Sequence, residues 1–269
     1  MSWLGKFFGG AFGFLMGGPL GAILGAAVGH QFDSGMERMD RVGFNPGDLH
    51  RVQMAFFTAT FSIMGRIAKA DGQVTREEID LAKRVMDEMR LSGEMRQTAI
   101  KLFQQGKSSD FPLDEALNQF RIECHRRTNL IRMFLEIQIQ AALADGAIDS
   151  EEETLLLHIC GQLGISRFDY ERIKLQIQAQ QRFYQNGYQQ QYRHAARQEK
   201  NHLEDAYAVL GLTSSAGEKE VKRAYRRLMS QHHPDKLVAK GLPEEMMTIA
   251  KEKTQRIRKA YETIQKARK

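Results

Sequence analysis

The densest chemistry in this 269-residue chain lies near its carboxyl end, where His233-Pro234-Asp235 follows a run of cations. Glu218 to Gln231 has helical spacing. Val221, Tyr225, Leu228 and Met229 share one face, and Lys219, Lys222, Arg223, Arg226 and Arg227 fall on the opposite one. The first face packs inward; the second is a positive strip in water that seeks an acidic partner. Pro234 stops the helix and holds the preceding residue extended, so Asp235 rides on a stiff turn at the end of the strip. One carboxylate on such a turn can pair with a buried arginine of another molecule. It cannot readily carry out catalysis alone.

Charge distribution sharpens this. Leu203 to Lys269 holds 15 Lys+Arg against 9 Asp+Glu, while the rest of the chain holds 24 of each, so the whole net charge of +6 sits in the last quarter. That face lacks base-reading or stacking residues, so no nucleic-acid partner is expected. No metal or cofactor is expected either. His232 and His233 are adjacent and their rings diverge, and Cys124 and His125 do not face each other on a helix. His30, His50, His158, His194 and His202 are scattered, and two cysteines, Cys124 and Cys160, make neither a disulfide framework nor a four-thiolate zinc site. No glycine-rich phosphate loop follows a strand. The chain does not read as an enzyme.

The elements that must position this turn read as all-α. Leu203 to Leu210 is a short helix stopped by Gly211. Glu244 to Lys266 is a long one with Ile249, Ile257, Ala260, Tyr261 and Ile264 inward, which closes a helical hairpin over residues 203–269. Nine glutamines between Gln176 and Gln198 mark a polar stretch, and residues 183–202 are expected to be a flexible linker. Residues 49–182 read as one helical domain. Phe56, Phe57, Thr60, Ile63, Met64 and Ile67 line a buried face, and Thr128 to Ala144 is apolar nearly all round. Ala70-Asp71-Gly72 with Glu77-Glu78 returns as Ala144-Asp145-Gly146 with Glu151-Glu152. Thr75 with Glu78, and Asp149 with Glu152, have capping-box spacing. Calcium binding is not expected, because the first loop positions would be Ile67 and Lys69, or Ala141 and Leu143.

The amino end, residues 1–32, reads as a transmembrane helix, followed by a juxtamembrane linker over 33–48. Phe7 to Gly29 carries no charge, and 23 helical residues reach about 35 Å, enough for a hydrocarbon core of about 30 Å. Gly5, Gly9, Gly13, Gly17, Gly21, Gly25 and Gly29 recur every fourth residue. Such a stripe lets two spans approach closely in a right-handed crossing, so a homodimer is expected. Pro19 falls mid-span, where it kinks the helix or breaks it into a re-entrant hairpin. A cleaved signal is the lesser alternative. Arg38, Arg41 and Arg51 lean the bulk of the chain toward the cytosol.

Three regions resemble known families. Leu203-Glu204-Asp205-Ala206-Tyr207-Ala208-Val209-Leu210-Gly211, Val221 to Leu228, His233-Pro234-Asp235-Lys236 and Ala260-Tyr261-Glu262 occur in the order and spacing of a J-domain. The repeated Ala-Asp-Gly turns resemble the TerB-like all-helical domain. Together with the glycine-striped span and the inserted Leu237 to Pro243, the chain resembles the membrane-anchored DnaJ-like co-chaperones of bacteria. The resemblance implies a co-chaperone that stimulates ATP hydrolysis by a DnaK-type partner. That partner would be bound by Lys222, Arg226 and Arg227 along the strip and by His233, Pro234 and Asp235 at the turn. It also implies a single-pass protein of the bacterial inner membrane, with a short periplasmic amino end and a cytoplasmic bulk, and a place in envelope stress signalling. The Gly/Phe-rich and cysteine-rich segments of general J-proteins are absent from the sequence, so holding many unfolded clients is not expected. The alternative is a membrane scaffold or signalling adaptor acting mainly through the TerB-like domain.

Overall fold

The structure, a computed structural model, describes residues 18–23, 48–70, 80, 82, 83, 85–87, 91, 93–143, 146–189, 195–243 and 246–268. Helices α1 (Asp48–Ile67), α2 (Gly93–Gly106), α3 (Leu113–Glu123), α4 (Thr128–Ala142), α5 (Ser150–Gln162) and α6 (Arg167–Gln189) build an amino-side unit. Helices α7 (Ala195–Val209), α8 (Glu218–His232), α9 (Pro234–Val238) and α10 (Met247–Ala267) build a carboxyl-side unit. No strand occurs among the described residues. Of the glycine stripe only Gly21 is described, within a helical stretch over 18–23 whose Leu20 and Ile23 pack into the amino-side core; the other six glycines lie outside the described residues. No helix among the described residues is long and apolar enough to cross a membrane.

Helix α1 is the centre of the amino-side unit. The sequence pattern marks one buried face, yet Val52, Ala55, Phe56, Ala59, Phe61, Ile63, Met64 and Ile67 are all buried, because α2, α3 and α4 cover it from several sides. The hydroxyls this also buries bond within the helix: Thr60 Oγ1 donates to the Phe56 carbonyl and Ser62 Oγ to that of Thr58, each at 2.7 Å. Contact with α2 is backbone to backbone. A Cβ at Gly65 would stand 2.0 Å from the Phe103 carbonyl oxygen, and one at Gly106 1.7 Å from that of Ser62. Only hydrogen fits between these helices. Phe56, Phe120 and Phe134 then close the core as a ring cluster, with Phe120 and Phe134 centroids 4.6 Å apart.

The cap expected at Asp149 is present. Its carboxylate accepts from the Glu152 N–H at 2.7 Å, and Glu152 accepts from the Asp149 N–H at 3.2 Å. Gly146 precedes it with φ +107°. The matching Thr75 and Glu78, and the Ala-Asp pairs at 70–71 and 144–145, lie wholly or partly outside the described residues. Cys124 and Cys160 are free, buried thiols, and burial pushes both up to about 12.

The glutamine-rich stretch differs from its expectation. Helix α6 continues past Arg182 to Gln189, and Ala179 and Phe183 are core residues of the carboxyl-side unit. Phe183 stacks on His202 at 4.3 Å, and Arg182 pairs with Asp205 at 3.1 Å. Glutamine is a good helix former, and one phenylalanine among glutamines suffices to seat the helix, so composition alone concealed the packing. The rest of that core is Ala206, Val209, Leu210, Val221, Ala224, Leu228, Ile257, Ala260 and Ile264, with Tyr225 stacked on Tyr261 at 4.2 Å.

Each unit has its own core, and part of the carboxyl-side unit enters the amino-side one. Leu237, Leu242, Met246, Ile249 and Ala250 are buried among residues of the amino-side unit. Ile249, expected to face inward within the hairpin, instead packs there. Gly241 marks the tightest point. It has φ +102°, and a Cβ on it would meet Val52 Cγ1 at 2.5 Å and Leu130 Cδ1 at 3.7 Å.

Candidate partner-docking site

Helix α8 begins where the Glu220 carboxylate accepts from the Gly217 N–H at 2.8 Å. Val221, Ala224 and Leu228 anchor its apolar face. That leaves Lys219, Lys222, Arg223, Arg226 and Arg227 exposed, as their spacing predicts. Lys222 pairs with Glu218 at 2.6 Å, one turn back, and the pair lies in water. Arg227 is the exception in environment: it stands at the border with the amino-side unit, and burial together with Arg172, Arg132 and Arg223 lowers it from its ordinary value.

The helix ends at His232. His233 is a one-residue break with φ −61° and ψ 123°, the extended geometry that a following proline imposes. Pro234 then opens the five-residue helix α9. What spacing alone presents as a loop is therefore a corner between two helices, braced by the Leu237 N–H donating to the His233 carbonyl at 3.1 Å. Lys236 Nζ reaches back across the corner to Ser230 Oγ at 2.8 Å. At the apex the Asp235 side chain is 87% exposed and that of His233 46%, with His233 Nδ1 4.0 Å from Asp235 Oδ2. All six residues assigned to docking thus sit on one rod and its terminal corner: Lys222, Arg226 and Arg227 along α8, His233, Pro234 and Asp235 at its end.

Sequence reasoning missed a second set beneath the corner. His232 turns away from His233 into the amino-side unit, where it meets Glu136 of α4 with Nε2 3.6 Å from Oε1. Arg132 Nε donates to Glu136 Oε1 at 2.8 Å, and Lys253 Nζ of α10 donates to Oε2 at 2.7 Å. Arg132 also donates to Gln176 Oε1 at 3.0 Å. The side chains of Glu136, Lys253 and His232 are 5%, 4% and 7% exposed. Burial opposes charge on Glu136, and the facing His232, Lys253 and Arg132 reverse this and hold its carboxyl well below the usual range. Burial lowers His232 against the pull of Glu136, so its ring is neutral near pH 7. A lone carboxylate in a helix apolar nearly all round was the available signal, since a buried acid needs a buried cation. Among the described residues, no group of His, Cys, Asp and Glu could hold a metal ion.

Three family models match this chain. DnaJ domain covers residues 205–269, Tellurite resistance protein TerB covers 57–175, and Co-chaperone DjlA transmembrane domain covers 1–39. Co-chaperone protein DjlA of Coxiella burnetii is 46% identical over 272 residues, spanning 100% of this chain and 99% of its own length. The chain belongs to the DjlA co-chaperone family. Similar relatives bear the same name in Vibrio cholerae, 46% identical over 99% of this chain and 98% of their own, and in Pasteurella multocida, 40% identical over 100% and 99%. No solved structure gives a significant match. As a DjlA-family, membrane-anchored co-chaperone the chain joins two all-α domains, and the DnaJ match falls on the unit that carries the exposed corner.

Proposed function

We propose that the α8 strip and the His233-Pro234-Asp235 corner bind a DnaK-type chaperone and stimulate its ATP hydrolysis, the chain itself being no enzyme. Lys222, Arg226 and Arg227 dock on an acidic surface of that partner. Asp235, a carboxylate held out from a stiff corner, pairs with a cation beside the partner's nucleotide machinery, and His233 and Pro234 set its direction. The observation that carries this reading is the exposure of Asp235 at the end of an exposed cationic helix, while the residues on either side of the corner are buried. In this reading the activity works at the cytoplasmic face of an inner membrane, and the four-residue spacing of Gly5 to Gly29 supports pairing of two copies there.

Single-turnover ATP hydrolysis by the partner tests the reading. Wild-type chain should accelerate it, and His233→Gln should abolish the acceleration while leaving helical content and unfolding midpoint unchanged. Full acceleration by His233→Gln at saturating concentration would refute it.

A further inference from the structure

We propose that the TerB unit positions the J-domain's corner, with Glu136 as the positioning residue acting through His232 and Lys253. This rests on the docking role given to His233, Pro234 and Asp235 above.

Three observations carry it. First, the corner is the exposed apex of a segment that is otherwise sunk into the other unit. His232 is buried on one side of it, Leu237 is fully buried on the other, and Leu242, Met246, Ile249 and Ala250 follow. The residues that hold His233 and Asp235 in space therefore belong to α1 and α4 as much as to the J-domain. Second, the Leu237 to Pro243 stretch is shaped for this contact. Gly241 lets its backbone lie on Val52 and Leu130 with no room for a methyl group. Third, Glu136 accepts from Arg132 of its own helix and from Lys253 of α10, and it faces His232 at the end of α8. One carboxylate so binds α10 through Lys253 and faces the end of α8, the helix that leads into the corner.

The physics of such a group favours positioning over adhesion. A buried ion pair adds little net stability, since desolvation offsets attraction, but leaving one member unpaired in place is strongly unfavourable. A shifted or rotated dock would strand Glu136, Lys253 or Arg132 in an apolar seam. Full separation would return all of them to water. The network therefore selects one orientation of the J-domain on the TerB unit. With the corner preset, Asp235 already stands in the reacting geometry once the strip has bound, so the gain falls on the rate of the bound complex.

The test uses the full-length protein in detergent micelles and single-turnover hydrolysis by a DnaK-type chaperone, titrated to give a maximal rate and a half-saturating concentration. Glu136→Gln keeps side-chain volume; Lys253→Met keeps the apolar stem and leaves Glu136 paired with Arg132. Gly241→Ala pries the same interface apart without touching charge. Each should lower the maximal rate at least about fivefold, within the roughly hundredfold that an ångström-scale misplacement can cost. Half-saturation should stay within about twofold, because the α8 strip is untouched. Glu136→Asp should restore part of the rate. Wild-type maximal rates in Glu136→Gln and Gly241→Ala would overturn the positioning role, as would an unchanged maximal rate with raised half-saturation. Wild type without stimulation, or His233→Gln with it, would instead overturn the docking reading.

Discussion

Substituting Gly241 by alanine should undock the two units without unfolding either. Gly241 sits at φ +102°, a region costly for any residue with a Cβ, by about 1–3 kcal/mol. The new methyl would also stand 2.5 Å from Val52 Cγ1 and 2.9 Å from Val52 Cβ. Val52 is β-branched and fully buried, so it cannot turn aside, and overpacking of this kind costs about 1–3 kcal/mol. Together these disfavour the docked form by about 2–6 kcal/mol, or at least about 30-fold in its equilibrium with the separated form. Hydrogen exchange followed by mass spectrometry reads this directly. Peptides spanning 237–250, whose Leu237, Leu242, Ile249 and Ala250 are covered by the TerB unit, should exchange faster by a comparable factor. Peptides around Val221 and Ala260, in the J-domain's own core, should keep their wild-type rates. Unchanged exchange over 237–250 would refute the reasoning, and so would uniform acceleration across both units, which would mean that Gly241 supports the fold itself.

Further tests bear on other parts of the molecule. Gly65→Ala or Gly106→Ala should push α1 and α2 apart and lower stability by about 1–3 kcal/mol or more, measured as a fall in the urea midpoint with unchanged slope; a wild-type midpoint would contradict the backbone contact. Acid should weaken the dock in two stages. His232 is lowered by burial, so the neutral ring's contribution is complete above its ordinary value of 6.5 and is lost as pH falls below it. Glu136 is held low by its cations, so its contribution is complete above 4.5 and is lost as pH falls further. A Tm profile from pH 7.5 to 4.5 should therefore slope downward in wild type and flatten in His232→Gln; equal slopes would exclude His232 as the source. Arg226→Ala should raise the half-saturating chaperone concentration several-fold at low salt with the maximal rate retained, and the difference from wild type should shrink as salt rises. A salt-independent difference would argue against an electrostatic strip.

What could be read from residue order was local. The cationic face of α8, the stop at Pro234 and the cap at Asp149 each depend on residues within one or two turns, where helical periodicity, ring sterics and side chain to backbone bonds act directly. The all-α class followed from the same periodicities. The residues proposed to dock stood out because unlike chemistry, cations and one acid, is concentrated on a short stretch that also carries a family resemblance.

The tertiary structure decided what lies between the units. Glu136 and Lys253 are 117 residues apart, and no local rule pairs them. His232 looked like the twin of His233, yet one is buried against Glu136 and the other meets solvent, because a helix end and an extended residue send consecutive side chains in opposite directions. Phe183 was hidden by glutamines, and Leu237 to Pro243 read as an insertion until α1 and α4 were seen to cover it. Periodicity tells which face of a helix avoids water. Which surface then covers that face is settled only when distant segments compete to exclude it, and here that competition joined the two domains around a single carboxylate.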